Sequence, residues 1–225
     1  MFKRSCRWWG SSVLTGILLL AAAPGARASI LGVSAQVGTP GVGGTVWFPV
    51  AGSFADVRLG FNTFTLNHTI NSGGNAYALH AVLRNAPLLV DWYPFGFGFH
   101  LTGGVVYNGN HVDYAAEPQN GMYVINGTPY PASTVGTLSG TVTYPHISPY
   151  LGVGFGDPFS GVLPVFFTAD FGAFYQRTPS VTLVSSNGGN PALNSQLAAE
   201  AGRIRSDMGR YRWYPVISFG IGIGF

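Results

Sequence analysis

The feature that most constrains the fold is an alternation of residue size along Trp213–Phe225. From Ile217 onward, every second residue is large and apolar, and the residues between are serine or glycine. Successive side chains of a β-strand point to opposite faces, so this period of two predicts a strand with one apolar and one nearly bare face. Such a strand suits a barrel wall in lipid, because the outer face meets hydrocarbon and the crowded interior tolerates glycine.

The first 28 residues have the pattern of a secretory signal peptide. Basic residues precede an apolar segment at Val13–Ala23, and Ala26–Ala28 matches a cleavage site of the A-x-A type. We therefore expect residues 1–28 to be a cleaved signal and residues 29–225 to form one β-barrel domain. The alternative is an uncleaved anchor, but the apolar segment is shorter than the roughly 20 residues that span a bilayer. The single cysteine, Cys6, lies in this segment, so the mature chain is predicted to have no disulfide.

Removal of the signal changes the charge balance of the chain. Four of the 11 basic residues lie before residue 29, which leaves seven arginines against eight acidic residues. The mature chain is therefore close to neutral, and the basic isoelectric point of the full sequence does not indicate nucleic-acid binding.

Composition also separates this chain from ordinary soluble domains. Only 8% of its residues are charged, against roughly 25% in soluble proteins. No segment of the mature chain has 18 consecutive apolar residues, so helical membrane spans are not expected. With 14% aromatic residues and 33 glycines, the composition favours a β-barrel in an outer membrane.

Eight segments of the mature chain have strand patterns. They are Ile30–Val37, Val42–Val50, Phe54–Asn67, Tyr77–Tyr93, Phe99–Tyr114, Thr141–Phe155, Val165–Tyr175 (with a possible extension to Val184) and Trp213–Phe225. An even number of antiparallel strands is expected of single-chain bacterial barrels. The sequence therefore predicts an all-β fold, an eight-stranded antiparallel up-and-down transmembrane β-barrel.

The connections between these segments alternate in length. Those after the second, fourth and sixth strands are short, the one after the third is intermediate, and those at 115–140 and 185–211 are long. Short periplasmic turns and longer external loops are typical of such barrels. Leu193–Gly209 has helical spacing with Ser195 as a possible N-cap, which predicts one short helix in the last external loop. That helix could lie on the rim, enter the barrel as a plug, or bind a partner.

Charged side chains are predicted on the inward faces of four strands. By parity, these residues are Asp56, Arg58, Asp91, His100 and Asp170. Eight strands enclose an interior just wide enough to be filled by side chains. An isolated buried charge is very costly, so the residues are expected to form a structural charge network. A narrow proton or ion path and a catalytic role are the alternatives.

The chain resembles the small eight-stranded outer-membrane barrels of the OmpA, OmpX and OmpW type, and an uncharacterised proteobacterial group among them. Four segments carry the resemblance: Leu89–Phe95, Tyr107–Asn110, Pro149–Gly154 and Tyr211–Pro215. The alternating C-terminal residues resemble the signal that the barrel assembly machinery recognises. Those residues are Phe219, Ile221, Ile223 and Phe225. The resemblance implies residence among outer-membrane lipid and lipopolysaccharide, and its OmpW-like members suggest a channel.

One short motif suggests an enzyme. His146 and Ser148 are similar to the His-x-Ser of outer-membrane lipid A deacylases, where a histidine activates a serine. Pro149 replaces the asparagine that usually follows, and no acidic partner can be identified. The glycine-rich segments 152–156 and 220–224 are not followed by a helix, so they do not form a nucleotide site. The five histidines lack metal-ligand spacing, and neither a metal nor another cofactor is expected.

These observations predict a protein of the Gram-negative outer membrane that is not an enzyme. Its expected role is structural, or an interaction of the external loops with an unidentified extracellular ligand. The alternative is a narrow channel or transporter for small or hydrophobic solutes, and a third is a lipid A-modifying enzyme.

Overall fold

The computed structural model of the chain describes residues 30–51, 54–72, 75–95, 97–159, 163–188 and 190–225. The strands within these ranges are β1 (Gly32–Gly38), β2 (Gly41–Pro49), β3 (Ala55–Ser72), β4 (Asn75–Trp92), β5 (Phe99–Asn108), β6 (His111–Glu117), β7 (Met122–Ile125), β8 (Thr128–Pro131), β9 (Leu138–Thr143), β10 (Ile147–Phe155), β11 (Val165–Tyr175), β12 (Ser180–Ser185) and β13 (Trp213–Gly224). The helices are α1 (Ala132–Val135) and α2 (Pro191–Met208). The predicted signal peptide lies outside the described residues.

All strand pairings in the main sheet are antiparallel. They run from β1 through β2, β3, β4, β5, β10, β11 and β13 and back to β1. We call this set of strands the strand ring. The ring is uneven, because β4 pairs with β5 over residues 85–92 and with β6 over residues 76–82. The predicted all-β, antiparallel up-and-down architecture is confirmed, whereas a closed eight-stranded barrel stays a prediction.

Three segments that were predicted as single strands are each divided in two. The fifth is divided into β5 and β6, the sixth into β9 and β10, and the seventh into β11 and β12. The breaks contain Gly109, Pro145 and Pro179, respectively. Proline cannot donate a ladder hydrogen bond, and Arg177 has a left-handed φ of 60° just before the start of β12. Beyond the breaks, β6 pairs with residues 76–82 of β4, near the tip of the β3–β4 hairpin. β9 then pairs with β6, and β12 pairs with β9.

The connection between the third and fourth strands is shorter than predicted. The sequence pattern ended the third strand at Asn67 and began the fourth at Tyr77, but β3 continues to Ser72 and β4 begins at Asn75. One register persists along the hairpin, pairing Asn67 with His80 and Ile70 with Tyr77. The hairpin therefore extends as a paired ribbon to its tip, where the sequence predicted an intermediate loop.

The long connection predicted at 115–140 is folded. It contains the β7–β8 hairpin, the short helix α1 and the start of β9. Asn126 and Gly127 join the hairpin strands with φ angles of 51° and 78°. Two residues with positive φ are characteristic of the tight hairpin turns that favour Asn-Gly. Tyr123–Gly127 thus belongs to a tight β-hairpin inside this connection.

The helix predicted at Leu193–Gly209 begins earlier, and it is the longer of two helices in the described ranges. The N-cap is Asn190, whose side chain accepts hydrogen bonds from the backbone of Ala192 and Leu193. Ser195, the predicted cap, lies inside the helix. Pro191 occupies the first turn, where its missing N–H costs nothing. With 18 residues, α2 has nearly the length of the segment that was predicted as a helix.

Among the described residues, neither helix combines the length and the apolar character that crossing a membrane requires.

Apolar packing is divided between the strand ring and the region beyond it. One cluster lies inside the strand ring and comprises Leu89, Val106, Tyr150, Phe174 and Val216. A second lies among β6–β9, β12, α1 and α2, which together we call the cap. Its buried members are Ala116, Tyr123, Ile125, Val135, Leu138, Leu193 and Leu197. Two long connections are therefore held together by an apolar core of their own.

The outer face of the strand ring exposes large apolar side chains. Examples from six strands are Val37, Phe48, Leu59, Trp92, Leu151 and Phe167. Soluble proteins rarely expose so continuous an apolar surface. The face has the character expected of a wall in contact with lipid.

Candidate functional site

An ion-paired cluster occupies the interior of the strand ring. Arg58 Nε lies 2.8 Å from Asp91 Oδ2, and its Nη2 lies 2.7 Å from Asp170 Oδ1. The three residues come from β3, β4 and β11, and all are almost completely buried. One guanidinium therefore joins carboxylates from two sides of the strand ring. The planar fork of arginine suits this bridging better than the single ammonium of lysine.

His100 and Thr102 complete this cluster. His100 Nε2 lies 3.4 Å from Asp170 Oδ1, and its Nδ1 lies 3.2 Å from the Gly98 carbonyl. Thr102 donates a 2.6 Å hydrogen bond to Asp91 Oδ1 and accepts one from Arg58 Nη2 at 3.2 Å. Sequence reasoning missed Thr102, although it has the same parity as His100 in β5.

Trp47 packs against the guanidinium of Arg58. Its ring centroid lies 4.7 Å from Arg58 Cζ, and its Nε1 donates a hydrogen bond to Ser34 Oγ at 3.2 Å. His100 contacts both Trp47 and Tyr93 in edge-on geometry, with centroid distances of 6.3 and 5.3 Å. The guanidinium is therefore fixed by a cation–π contact as well as by two ion pairs.

Asp56 is the predicted site residue that does not join the ion pairs. It is buried and lies opposite Asp91 in the β3–β4 register. The side chain of Tyr93 is its hydrogen-bond neighbour. Among the described residues, Asp56 has no ion pair with an arginine or histidine. The structure thus brings together four of the five predicted residues, and places the fifth beside them.

A layer of amide side chains lines the inner face of β1–β4 on the side nearer the cap. Gln36 donates to Asn62 Oδ1 at 2.7 Å and accepts from Thr45 Oγ1 at 3.1 Å. Asn62 in turn donates to Asn85 Oδ1 at 3.1 Å. Between this layer and Arg58 is a cavity of about 40 Å³. One water molecule needs roughly 10–15 Å³ of such space, so the cavity can hold a few waters.

Gly154 makes room for the charged cluster. A Cβ at this position would overlap the His100 ring and lie 2.8 Å from Asp170 Oδ1. We expect Gly154→Ala to lower the free energy of unfolding by about 1–3 kcal/mol, the usual cost of overpacking. Gly103→Ala is the matched control, because a Cβ there would meet no atom within 4 Å. Denaturant unfolding in detergent micelles would compare them. Equal stability of the two variants would contradict the tight packing around His100.

The structure does not join His146 and Ser148 by a hydrogen bond. His146 Nδ1 lies 3.1 Å from the Asn108 carbonyl, and its ring stacks on Tyr107 with a centroid distance of 5.1 Å. Ser148 is completely buried, and its Oγ has no hydrogen-bond partner among the described residues. A nucleophile and its base normally lie within hydrogen-bond reach. The predicted pair is therefore not assembled in this conformation.

The cap contains a cleft of about 640 Å³. Its walls are mostly apolar and include Leu79, Val112 and Val142 of the sheet and Ile204 and Met208 of α2. Ligand sites of proteins are typically 300–1,000 Å³ and mainly apolar, with a few polar groups. By volume and lining, the cleft is a place where the cap could hold a small molecule.

Two polar groups border the apolar walls of the cleft. Tyr114 donates a 2.9 Å hydrogen bond to the Thr182 carbonyl, and burial raises the pKa of Tyr114 to about 12. At the other end, Arg203 is paired with Glu200, which also accepts from the Asn126 backbone at 3.2 Å. The hydrogen bond to Glu200 raises the pKa of Arg203 above its ordinary value. Tyr114 therefore stays neutral and Arg203 stays charged at physiological pH.

Metal-ligating residues are not clustered in the described part of the chain. No group of three or more His, Cys, Asp or Glu side chains there has a geometry that could hold a metal ion.

Comparison with known proteins identifies similar solved structures. The sequence matches no protein-family model and no curated protein. The crystal structure of CarO2 from Acinetobacter baumannii matches with a TM-score of 0.57 and 25% identity, over 87% of this chain and 98% of that chain. CarO from the same organism matches with a TM-score of 0.56 and 26% identity, over 88% and 98%. These neighbours are outer-membrane β-barrel proteins. Over most of its length, the chain is therefore similar to small outer-membrane β-barrel proteins.

Proposed function

We propose that this protein is a closed eight-stranded barrel of the Gram-negative outer membrane, with a structural or surface-interaction role carried by its cap. The eight strands of the strand ring would be the membrane-spanning ones. Their exposed apolar faces would contact lipid, and the polar groups inside would be shielded from it. Export would use the predicted signal peptide, and membrane insertion would use the barrel assembly machinery.

The filled interior is the observation that carries this proposal. Ion pairs join Arg58 of β3 to Asp91 of β4 and Asp170 of β11. A second layer, formed by the amides of β1–β4 and the apolar cluster inside the strand ring, fills the interior beside them. The space between them is about 40 Å³. A channel or transporter for small solutes, the alternative function, would need a continuous opening through both layers. Side chains held by short ion pairs and hydrogen bonds leave little room for one.

The cap supports a role at the cell surface. The long connections of outer-membrane barrels are usually external, and here they form a folded unit with a buried core that includes Ile125 and Leu193. Ordering so many residues costs conformational entropy, which the buried apolar core of the cap offsets. A cleft of about 640 Å³ within this unit supplies a place for an extracellular ligand.

We expect the purified protein to be electrically silent in planar lipid bilayers. The ion pairs of Arg58, the hydrogen-bonded amides and the apolar cluster inside the strand ring would together block ion passage. Single-channel recording in 1 M KCl would measure the conductance, with a known porin reconstituted in parallel as the control for insertion. Reproducible open-channel steps from the folded protein would refute the structural role and favour the channel alternative.

A further inference from the structure

An arginine-rich patch lies where α2 leads into β13. Arg205, Arg210 and Arg212 line a shallow cavity of about 400 Å³, together with the hydroxyl-bearing residues Thr178 and Ser206. The mature chain has only seven arginines and no lysine, and three of the seven line this cavity. In a chain with so few charges, this local excess of positive charge indicates a site for an anionic partner.

The three arginines are not neutralised by carboxylates within the described ranges. The ion pairs there involve Arg58 and Arg203 but none of the three residues of the patch. Arg212 is positioned by a hydrogen bond from its Nε to the Gly209 carbonyl at 2.8 Å. Its two terminal nitrogens form no other hydrogen bond or ion pair within the described ranges. Exposed guanidinium groups with free donors can bind phosphate groups in bidentate geometry.

The patch lies immediately beyond a group of exposed aromatic side chains. Tyr211 and Trp213 are 71% and 62% exposed. Trp213 packs against Tyr175 with a centroid distance of 5.0 Å. Aromatic residues at the ends of transmembrane strands mark the membrane–water interface. The guanidinium groups of Arg210 and Arg212 would thus lie at the level of the lipid head groups.

We propose that Arg205, Arg210 and Arg212 bind the phosphate groups of a glycolipid in the outer leaflet. This inference rests on the proposed function, because it needs the cap side of the strand ring to face the cell exterior. Positive charges of the patch would attract the phosphates, and Thr178 and Ser206 would offer hydroxyl donors to the remaining oxygens. The aromatic residues below would contact the acyl chains, so one lipid would be held at both its polar and its apolar parts.

Binding of lipid A to the folded protein in a nonionic detergent would test this inference. The comparison variant combines Arg205→Gln, Arg210→Gln and Arg212→Gln, and the control is Arg84→Gln, which removes an exposed charge elsewhere. Since each basic residue near an anionic lipid surface contributes roughly fivefold in affinity, the triple variant should bind on the order of a hundredfold more weakly. The control should change affinity by less than about twofold. Circular dichroism and heat-dependent gel mobility would verify that each variant is folded.

Two further ligands, dephosphorylated lipid A and pyrophosphate, distinguish lipid binding from binding of free phosphate. Lipid A without phosphates should bind the parent protein as weakly as intact lipid A binds the triple variant. Equal binding of phosphorylated and dephosphorylated lipid, or of parent and triple variant, would overturn the inference. Full competition by millimolar pyrophosphate would also overturn it, by showing that free phosphate suffices. Failure of the proposed function would look different, since the protein would then be absent from outer-membrane fractions.

Discussion

Replacing Arg58 with methionine is expected to lower the free energy of unfolding by about 3–5 kcal/mol, the cost of removing one partner from a buried ion pair. The substitution leaves Asp91 and Asp170 buried in the strand ring without the guanidinium that lies 2.8 and 2.7 Å from them. Two uncompensated carboxylates would then repel each other in a medium of low dielectric constant. Urea unfolding in detergent micelles, followed by tryptophan fluorescence, would measure the change.

Three further variants separate the loss of charge from the loss of packing. Arg84→Met is the control for an exposed arginine, and it should change the stability by less than about 0.5 kcal/mol. Arg58→Lys retains the charge but cannot reach both carboxylates with a planar fork, so its stability should be intermediate. Combining Arg58→Met with Asp91→Asn and Asp170→Asn should recover much of the loss, because the buried charges are then absent.

The outcome that would contradict a structural charge network is specific. If Arg58→Met unfolded at the same urea concentration as the parent protein, the ion pairs would contribute nothing to stability. If it were destabilised but the combination with Asp91→Asn and Asp170→Asn showed no recovery, the effect would come from lost packing against Trp47, whose ring centroid lies 4.7 Å from Arg58 Cζ.

The interior of the strand ring was largely predictable from sequence, because strand parity assigns each residue to a face. Asp56, Arg58, Asp91, His100 and Asp170 were all placed inside, and all five are buried. Parity does not tell which carboxylate a guanidinium will reach, since that depends on how the strands are staggered around the axis. It was therefore not possible to foresee that Arg58 pairs with Asp91 and Asp170 while Asp56 has no such ion pair among the described residues.

Neutral partners were missed for a related reason. Thr102 and Asn62 have the parity of interior residues, but a hydroxyl or amide at a single position carries no clear signal of burial. Only the assembled structure brings Thr102 within 2.6 Å of Asp91 and links Asn62 to Gln36 and Asn85.

The cap was the part of the fold that the sequence patterns did not predict. Period-two patterns continue through Gly109 and Pro145, so they did not reveal that β6 and β9 leave the strand ring. The residues that form its core are also scattered. Val135 and Leu193 lie far apart in segments that look polar as a whole, and only long-range folding brings them into one buried cluster.

Replacing Leu193 with aspartate is expected to detach α2 from the cap while leaving the strand ring folded. Leu193 is completely buried in the cap cluster, together with Leu197, Ile125 and Val135. Loss of a buried leucine side chain costs about 2–5 kcal/mol, and a buried carboxylate without a partner costs more. The cluster inside the strand ring has no member in common with that of the cap. The two regions should therefore respond separately.

Trypsin gives a direct readout of this separation, because arginine is the cleavable residue type of the mature chain and four arginines lie in residues 203–212. A docked helix is cleaved slowly, since cleavage requires local unfolding. Leu193→Asp should be cut there at least tenfold faster than Ala199→Asp, which alters an exposed position of the same helix. The remaining fragment should keep the heat-dependent gel mobility of a folded barrel. If the strand ring lost that mobility as well, cap and ring would form one cooperative unit, and the cap could not change its conformation around a ligand independently of the membrane domain.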